Sequence, residues 1–278
     1  MNKTIHQYIY EEISYLLNHL NLIFEKDELA YYSLQGKNEQ QVRDKIAWKL
    51  QCLLDEHYEP SRYLVRREWS DSGRSKVDLA VLEIDKEDTN KSTPLALFEF
   101  KAHQSMDNNK WFYAAFVEDV KKMYEMCNKD QQTLKNCQLY FIHLQGVLGK
   151  YPDSYKQAVV YWDERRNKHN IYCDNQEGVE NKKKEIHKAF HSNEELYNVY
   201  KPHYKRYYGK DLPEKLSLIE YNEDSNCKKQ DRWGETQDIG SSFGYGYDLI
   251  PYIWGPYVID ESNVNDSKKG FPMYIKKP

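Results

Sequence analysis

The chain has 278 residues, of which 40% are hydrophobic, 14% are aromatic and 30% are charged. This apolar and aromatic content is too high for a fully disordered protein, and it suits one large domain, with or without an appendage. The formal net charge of −4 excludes binding of nucleic acid through overall positive charge, but it leaves room for a local basic cleft.

The cysteines and the hydropathy pattern indicate the compartment. The five cysteines include no pair at CxxC spacing, and their number is odd. A zinc site or a disulfide framework is therefore not expected. Acidic residues in the first thirty positions exclude the apolar stretch of a signal peptide, and no apolar run approaches the roughly 18–20 residues of a membrane span. We expect a soluble cytoplasmic protein with no membrane partner.

Helical periodicity dominates the first part of the chain. Apolar residues recur at helical spacing over residues 4–24, and a break at Gly36–Lys37–Asn38 follows. Asn38 is a typical N-cap residue, so a second helix is predicted from Glu39 to about Leu54.

The pattern then changes to extended segments. Strands are predicted at Tyr63–Trp69, Val77–Ile84, Leu95–Lys101 and Gln138–Leu144, with a turn at Asp71–Ser72–Gly73 and a loop at Asp85–Thr93 that Pro94 closes. Helices are predicted at about Lys110–Asn128 and Ser154–Arg165. This alternation indicates an α/β fold whose central mixed sheet is flanked by helices.

The pattern is weaker beyond residue 170. Lys182–Tyr208 has helical character broken by Pro202, and Leu216–Tyr221 is a candidate strand. Leu249–Ile259 is apolar but is interrupted by two prolines. The glycine-rich stretch 240–247 is typical of a turn or a mobile loop, since no Lys-Ser/Thr pair follows it as in a phosphate-binding loop.

Two acidic residues and a lysine lie within the second and third predicted strands. Asp78 is set in the apolar segment VDLAVLEI, and Glu99 and Lys101 point to the same face of LALFEFK. If these strands are hairpin neighbours, the three side chains converge at one end of the sheet. Burying two carboxylates is costly in free energy unless a divalent cation held by both compensates their charge.

Such a cation suits the cleavage of a phosphodiester. It can polarise the scissile phosphate, lower the pKa of a bound water and neutralise charge on the leaving oxygen. A lysine on the same face can orient or deprotonate the attacking water, or stabilise the transition state. The structural alternative is that Glu99 and Lys101 form a surface ion pair on edge strands.

These residues resemble the PD-(D/E)xK nucleases, a superfamily that includes many type II restriction endonucleases. The matching positions are Val77-Asp78 and Glu99-Phe100-Lys101, and the resemblance covers roughly residues 38–145, although Val77 stands where the family name has proline. The preceding helix, NEQQVRDKIAWKL, places Glu39 where many members carry a further acidic residue near the metal site. As an early helical glutamate, Glu39 could equally complement the helix dipole.

The resemblance implies a restriction endonuclease-like core and a Mg²⁺-dependent nuclease that hydrolyses DNA, of the restriction or phage-defence type. It makes Asp78, Glu99 and Lys101 catalytic, and it makes Asp78, Glu99 and Glu39 ligands of Mg²⁺, for which Mn²⁺ can substitute. No organic cofactor is implied, and many relatives are homodimers because cutting both strands takes two sites. The alternative is a non-catalytic nucleic-acid-binding or interaction protein on the same scaffold.

Basic residues near the predicted site could contact DNA phosphates. They are Arg66, Arg67, Arg74, Lys76 and His103. They are equally typical of solvated side chains. Lys201–Lys210 interleaves basic and aromatic residues, which suits either nucleic acid or an ordinary helix end.

These observations divide the chain into three parts. Residues 1–37 are expected to form an N-terminal helical segment, and residues 38–170 the nuclease core. Residues 171–278 are expected to form a C-terminal extension that completes the core or contributes nucleic-acid or dimer contacts.

Overall fold

A computed structural model describes most of the first half of the chain and parts of the second. The described residues are 3–25, 28–29, 32, 38–70, 76–103, 119, 122, 137–148, 181, 237–238, 247–259 and 275–276. The following predicted features lie outside the described residues: the turn 71–73, the helices 154–165 and 182–208, the strand 216–221, the basic and aromatic segment 201–210, and residues 240–246 of the glycine-rich stretch. Of the predicted helix 110–128, Asp119 and Lys122 are described, and both are helical.

Helices α1 (Ile5–Asn18), α2 (Leu20–Ile23) and α3 (Asn38–His57) precede the sheet. A capping box starts α1, because Thr4 Oγ1 accepts from the Gln7 N–H at 3.3 Å and Gln7 Oε1 accepts from the Thr4 N–H at 3.1 Å. The helix predicted over residues 4–24 is divided at His19, whose backbone leaves the helical region (φ −129°, ψ 39°). The second predicted helix is present as α3 and extends to His57.

The strands form one mixed sheet. They are β1 (Tyr63–Trp69), β2 (Val77–Ile84), β3 (Ser92–His103), β4 (Gln138–Leu148), β5 (Gln237–Asp238), β6 (Tyr247–Ile259) and β7 (Ile275–Lys276). The order is β1-β2-β3-β4-β6-β5, and β7 also pairs with β6. β3 and β4 are parallel and the other neighbours are antiparallel. The α/β fold with a mixed sheet is therefore confirmed.

The third strand begins earlier than the sequence predicted. Pro94 was expected to close the preceding loop, but it lies within β3 and pairs with Leu82, beside a register shift at which Leu95 of β3 has no partner in β2. Pairing between β3 and β4 starts only at Ala96. Since Pro94 has one neighbouring strand among the described residues at this point, the missing N–H can be accommodated without a lost ladder bond.

The C-terminal strand β6 contains two prolines that were predicted to interrupt it. Leu139 pairs with Tyr257 and Phe141 with Trp254, so the Gly255–Pro256 pair lies opposite a single residue of β4 as a bulge. Pro251 pairs with β4, while β5 covers only Asp248 and Leu249. Prolines at a bulge and at a position with one described neighbour are compatible with a strand.

The main core lies between one face of the sheet and the helices. Ile13 of α1, Leu50 of α3, Phe98 of β3 and Leu249 of β6 belong to the same buried cluster. Segments on either side of the predicted core 38–170 thus pack into it, and the division into three parts stays a prediction. Strand alternation places Glu99 and Lys101 on the opposite face of β3 from Phe98. No described helix is long and apolar enough to cross a membrane.

Candidate active site

The antiparallel pairing of β2 and β3 positions the first acidic residue. The register runs to Leu79 opposite Phe98, so Asp78 and Glu99 occupy the next positions along the two strands. Opposed residues of neighbouring strands share a face. In addition, Asp78 Oδ2 accepts a hydrogen bond of 2.8 Å from the Phe100 N–H, between Glu99 and Lys101 in the chain. The structure therefore brings Asp78 to the same end of the sheet as the Glu99–Lys101 pair.

Glu99 is deeply buried, with an exposed fraction of only 2%. Burial raises its pKa to about 8, the charges of Asp78 and Asp119 add to this rise, and Lys122 opposes it. Lys122 Nζ lies 2.5 Å from Glu99 Oε1. Since β3 lies between β2 and β4 and Glu99 is buried, the alternative of a surface Glu99–Lys101 ion pair on edge strands is wrong.

Lys101 contacts a different carboxylate. Its Nζ lies 3.1 Å from Asp119 Oδ2. Burial lowers the pKa of Lys101, but the charges of Asp119, Glu39 and Glu99 outweigh burial, so the pKa is raised above its ordinary value. Lys101 is consequently an ammonium group at neutral pH. In this arrangement it can donate hydrogen bonds and stabilise negative charge.

Glu39 reaches the site from the first turn of α3. Its Oε2 accepts a hydrogen bond of 3.0 Å from the Ala102 N–H of β3. Burial raises the pKa of Glu39, with Asp78 and Asp119 adding to the effect and Lys101 and the Ala102 N–H opposing it. Glu39 thus does more than complement the helix dipole, because its carboxylate is anchored on the strand that carries Glu99 and Lys101.

The two carboxylates that contact β3 follow a simple backbone pattern. Alternate N–H groups of a strand point to the same side, and β2 pairs with β3 only as far as Phe98. The next N–H groups on the β2 side belong to Phe100 and Ala102, and they donate to Asp78 and Glu39 respectively. Side-chain oxygens therefore continue the ladder where β2 ends, which fixes both carboxylates beside the site.

Asp119 was not among the predicted site residues. This buried helical residue contacts Lys101, and its Oδ1 lies 3.7 Å from Lys122 Nζ. Burial raises its pKa, opposed by both lysines, while Asp78 adds to the rise. A signal was present, since Asp119 follows Phe116 by three residues on the apolar stripe of the predicted helix, where a charged residue is unusual.

Arg43 was also missed. It lies in α3, four residues after Glu39, and has an exposed fraction of 7%. Its Nη1 donates to Asp78 Oδ1 at 3.5 Å and also to Glu68, and its Nε donates to Asp44 Oδ1 at 3.0 Å. The signal was again a charged residue beside the apolar stripe of a helix, next to Val42 and three residues before Ile46.

Four carboxylates and two lysines therefore meet at this end of the sheet. Asp78 raises the pKa of the three other carboxyl groups, which belong to Glu39, Glu99 and Asp119. Within the described ranges, no group of three or more His, Cys, Asp or Glu residues is already arranged as a metal site. Carboxylate oxygens are nevertheless the ligands that Mg²⁺ prefers. These carboxylates also repel one another, which a bound cation would relieve. The donor set therefore fits a hard divalent cation.

No family model, curated protein or solved structure matches this chain. The chemistry of the site has to be inferred from its own residues and their geometry.

The predicted nucleic-acid contacts are not all brought to one surface. Arg66 and Arg67 are both exposed on β1, but adjacent strand residues point to opposite faces. Arg67 Nη1 lies 2.5 Å from Asp44 Oδ2 of α3, so it is on the helix side of the sheet. Lys76 is exposed just before β2, and the backbone of His103 pairs with Gln145 at the end of β3. Arg74 lies outside the described residues.

Proposed function

We propose that this chain is a divalent-metal-dependent nuclease that hydrolyses DNA phosphodiester bonds at the site formed by Asp78, Glu99 and Lys101. The observation that carries the proposal is the buried carboxylate of Glu99, placed near Asp78 and beside Lys101 at one end of the sheet. Buried carboxylates that repel one another destabilise the folded protein unless positive charge compensates them. A divalent cation is such a compensating charge, and phosphodiester hydrolysis is a reaction that uses it.

The arrangement of the elements supports a restriction endonuclease-like core. An aspartate at the start of one strand, a Glu-x-Lys sequence near the end of its antiparallel neighbour and a glutamate on the preceding helix meet at one sheet end. This arrangement is similar to that of the PD-(D/E)xK nucleases. The proposal includes the restriction or phage-defence type and a homodimer, because cutting both strands of DNA takes two sites.

Asp78 and Glu99 would hold Mg²⁺, or Mn²⁺ in its place, with Glu39 as a further ligand or as an acceptor for a metal-bound water. When bound, the ion would polarise the scissile phosphate and lower the pKa of the attacking water. The Phe100 and Ala102 N–H groups hold the carboxylates of Asp78 and Glu39 in place before substrate arrives. Because these carboxylates are already in place, no free energy is spent on ordering them during the reaction.

Lys101 would act on the phosphate and the attacking water. Its raised pKa keeps it protonated at neutral pH. As an ammonium group it can donate a hydrogen bond to the attacking water and another to a non-bridging phosphate oxygen. It would thereby orient the nucleophile and stabilise the negative charge that grows in the transition state. The contact with Asp119 fixes the direction from which Lys101 does so.

A specific observation favours a second candidate, a non-catalytic nucleic-acid-binding protein on the same scaffold. Three of the four carboxylates already have cationic partners within the protein: Arg43 contacts Asp78, Lys122 contacts Glu99, and Lys101 contacts Asp119. Such a network could be purely structural, with its charges balanced without any metal ion. The two candidates differ in whether these residues are needed for hydrolysis.

A cleavage assay separates the candidates. The full chain is incubated with supercoiled plasmid, linear duplex, single-stranded DNA and RNA, with Mg²⁺, Mn²⁺ or EDTA. We expect metal-dependent cleavage of DNA that falls by at least about 100-fold in Asp78→Asn, Glu99→Gln and Lys101→Met. Glu59→Gln, which neutralises an exposed carboxylate paired with Lys86, is the matched control and should cleave like the wild type.

Circular dichroism and thermal melting establish that each variant is folded. Cleavage that persists in EDTA or in all three site variants would contradict the proposal. DNA binding without cleavage in the presence of any of these ions supports the second candidate instead.

A further inference from the structure

Lys122 places an ammonium group on the carboxylate that the proposed function assigns to a metal ion. Its Nζ lies 2.5 Å from Glu99 Oε1. The two partners differ in accessibility, because the side chain of Glu99 is 2% exposed while that of Lys122 is 29% exposed. The lysine can therefore withdraw towards solvent, whereas the carboxylate is held within the sheet.

We infer that Lys122 is a built-in competitor of the divalent cation, so that the ammonium group and the metal ion occupy Glu99 in turn. This inference rests on the proposed function, since it takes Glu99 as a metal ligand. An ammonium group in contact with Glu99 Oε1 and a divalent ion on the same carboxylate would lie only a few ångströms apart. Two cations at such a short distance repel each other strongly in a buried site, where water screens their charges poorly.

Asp119 offers Lys122 a second partner when it leaves Glu99. Lys122 Nζ is 3.7 Å from Oδ1 of Asp119, which lies three residues earlier in the chain, while Asp119 Oδ2 contacts Lys101. The two oxygens of Asp119 therefore face different lysines. A rotation of the Lys122 side chain can close the contact with Oδ1 without disturbing Lys101. The exchange then leaves no ammonium group without a carboxylate.

Without the metal ion, Lys122 supplies part of the positive charge that this carboxylate-rich end of the sheet requires. A permanent ion pair would have the same benefit, but it would keep Glu99 from binding the ion. The partial exposure of Lys122 and its alternative contact with Asp119 favour an exchangeable partner. The expected consequence is that Lys122 weakens metal binding in the wild-type protein.

The test measures metal affinity, with no DNA present, by titrating the full chain with Mn²⁺ in a calorimeter. Lys122→Gln removes the positive charge but keeps a hydrogen-bond donor, and Lys122→Met is a second variant in case the first does not fold. We expect either variant to bind Mn²⁺ at least ~10-fold more tightly than the wild type, because a competing cation has been removed from the site. Lys122→Arg keeps the charge and should show no such gain.

Two controls make the result specific. Lys86→Met removes the same charge from an exposed ion pair beyond the far end of β2, and it should leave the affinity unchanged. The double variant Glu99→Gln/Lys122→Gln should not bind Mn²⁺ more tightly than the wild type, since it lacks the carboxylate for which the two cations compete.

The outcomes distinguish this inference from the function on which it rests. If the wild type binds Mn²⁺ and cleaves DNA but the Lys122 variants bind the ion no more tightly, competition is overturned and the nuclease proposal stands. If neither the wild type nor the Lys122 variants bind Mn²⁺, both are overturned.

Discussion

Asp119 Oδ2 lies 3.1 Å from Lys101 Nζ and links a helical residue after β3 to the lysine of the Glu-x-Lys sequence. The side chains are 12% and 28% exposed, so this ion pair is largely shielded from water. A lysine side chain has many rotamers, and a partner at its tip selects among them. Asp119 is therefore a positioning residue for Lys101 in the proposed reaction.

Asp119→Asn keeps the shape of the side chain but removes its charge. We expect kcat for DNA cleavage to fall by about 10–100-fold with little change in KM, since the substrate still binds while the ammonium group is less well placed. The alkaline limb of the pH–rate profile should also move to lower pH, because the charge of Asp119 raises the pKa of Lys101. Steady-state kinetics between pH 6 and about 11 measures both effects.

Glu59→Gln is again the control for this prediction. It neutralises a carboxylate that is 68% exposed and remote from the site, so kcat and the pH profile should match those of the wild type. A variant Asp119→Asn with unchanged kcat and an unchanged alkaline limb would show that Asp119 has only a structural role.

The convergence of Asp78 with Glu99 and Lys101 could be predicted from local rules. Strand alternation fixes the shared face of Glu99 and Lys101, and a hairpin brings the start of β2 to the end of β3. The partners Asp119 and Lys122 could not be assigned in this way. Helical spacing shows which face of a helix is buried, but it does not show which strand residue that face meets.

The fold shows the same division between local and tertiary information. The bounds of β1 and β2 follow from β-branched and aromatic residues between turn signals, and both were predicted to the residue. β6 was not recognised as a strand, because Pro251 and Pro256 argue against a strand when the neighbouring strands are unknown. Pro256 is compatible with a strand because it lies in the bulge opposite β4. Pro251 is compatible because the described part of β5 does not reach it.

The stability of the metal-free protein should fall as pH rises from about 4.5 to about 8. The pKa of Glu99 is raised from 4.5 to about 8 in the folded protein, chiefly by burial. Within this window the unfolded chain releases the proton while the folded protein keeps it, so the unfolded state is favoured increasingly with pH. Below the window both states are protonated, and above it the loss is complete.

Glu99→Gln tests this linkage because its side chain does not titrate. The free energy of unfolding of the variant minus that of the wild type should rise by a few kcal/mol between pH 5 and pH 8.5, measured by urea denaturation in EDTA. The exposed Glu87→Gln in the β2–β3 turn serves as the matched control, with no such trend expected. A difference for Glu99→Gln that is flat with pH would contradict the raised pKa of Glu99.

Arg43 should contribute more to stability than a neighbouring exposed arginine. Its side chain is 8% exposed and contacts three carboxylates, whereas Arg67 is 55% exposed and contacts Asp44 alone among the described ion pairs. We expect Arg43→Ala to lower the free energy of unfolding by about 1–3 kcal/mol, since a buried partner is lost and Asp78 loses its cation.

Arg67→Ala is the matched control, with an expected loss below about 1 kcal/mol because solvent screens exposed ion pairs. Arg43→Lys should be intermediate, since an ammonium group cannot reproduce the forked contacts of a guanidinium group. Urea denaturation of the three variants at pH 7 gives the values. Equal losses for Arg43→Ala and Arg67→Ala would show that burial adds nothing to this network.

Gln51 protects the open edge of the sheet. β1 is the first strand in the sheet order, so among the described strands one side of it has no neighbour. The Gln51 amide takes the place of a strand there, because its Nε2 donates to Tyr63 O at 3.0 Å and its Oε1 accepts from the Val65 N–H at 2.7 Å. Exposed strand edges are sites of unwanted pairing between chains.

Gln51→Ala removes both hydrogen bonds to β1 together with the one that Gln51 Nε2 donates to Asp55 Oδ1, and we expect the free energy of unfolding to fall by about 1–3 kcal/mol. Light scattering at increasing protein concentration should also show more self-association, because the Tyr63 carbonyl and the Val65 N–H become available to another chain. Lys49→Ala, an exposed position on the same helix, controls for helix propensity and should change neither quantity appreciably. If Gln51→Ala behaves like Lys49→Ala in both measurements, the amide has no role in covering the edge of β1.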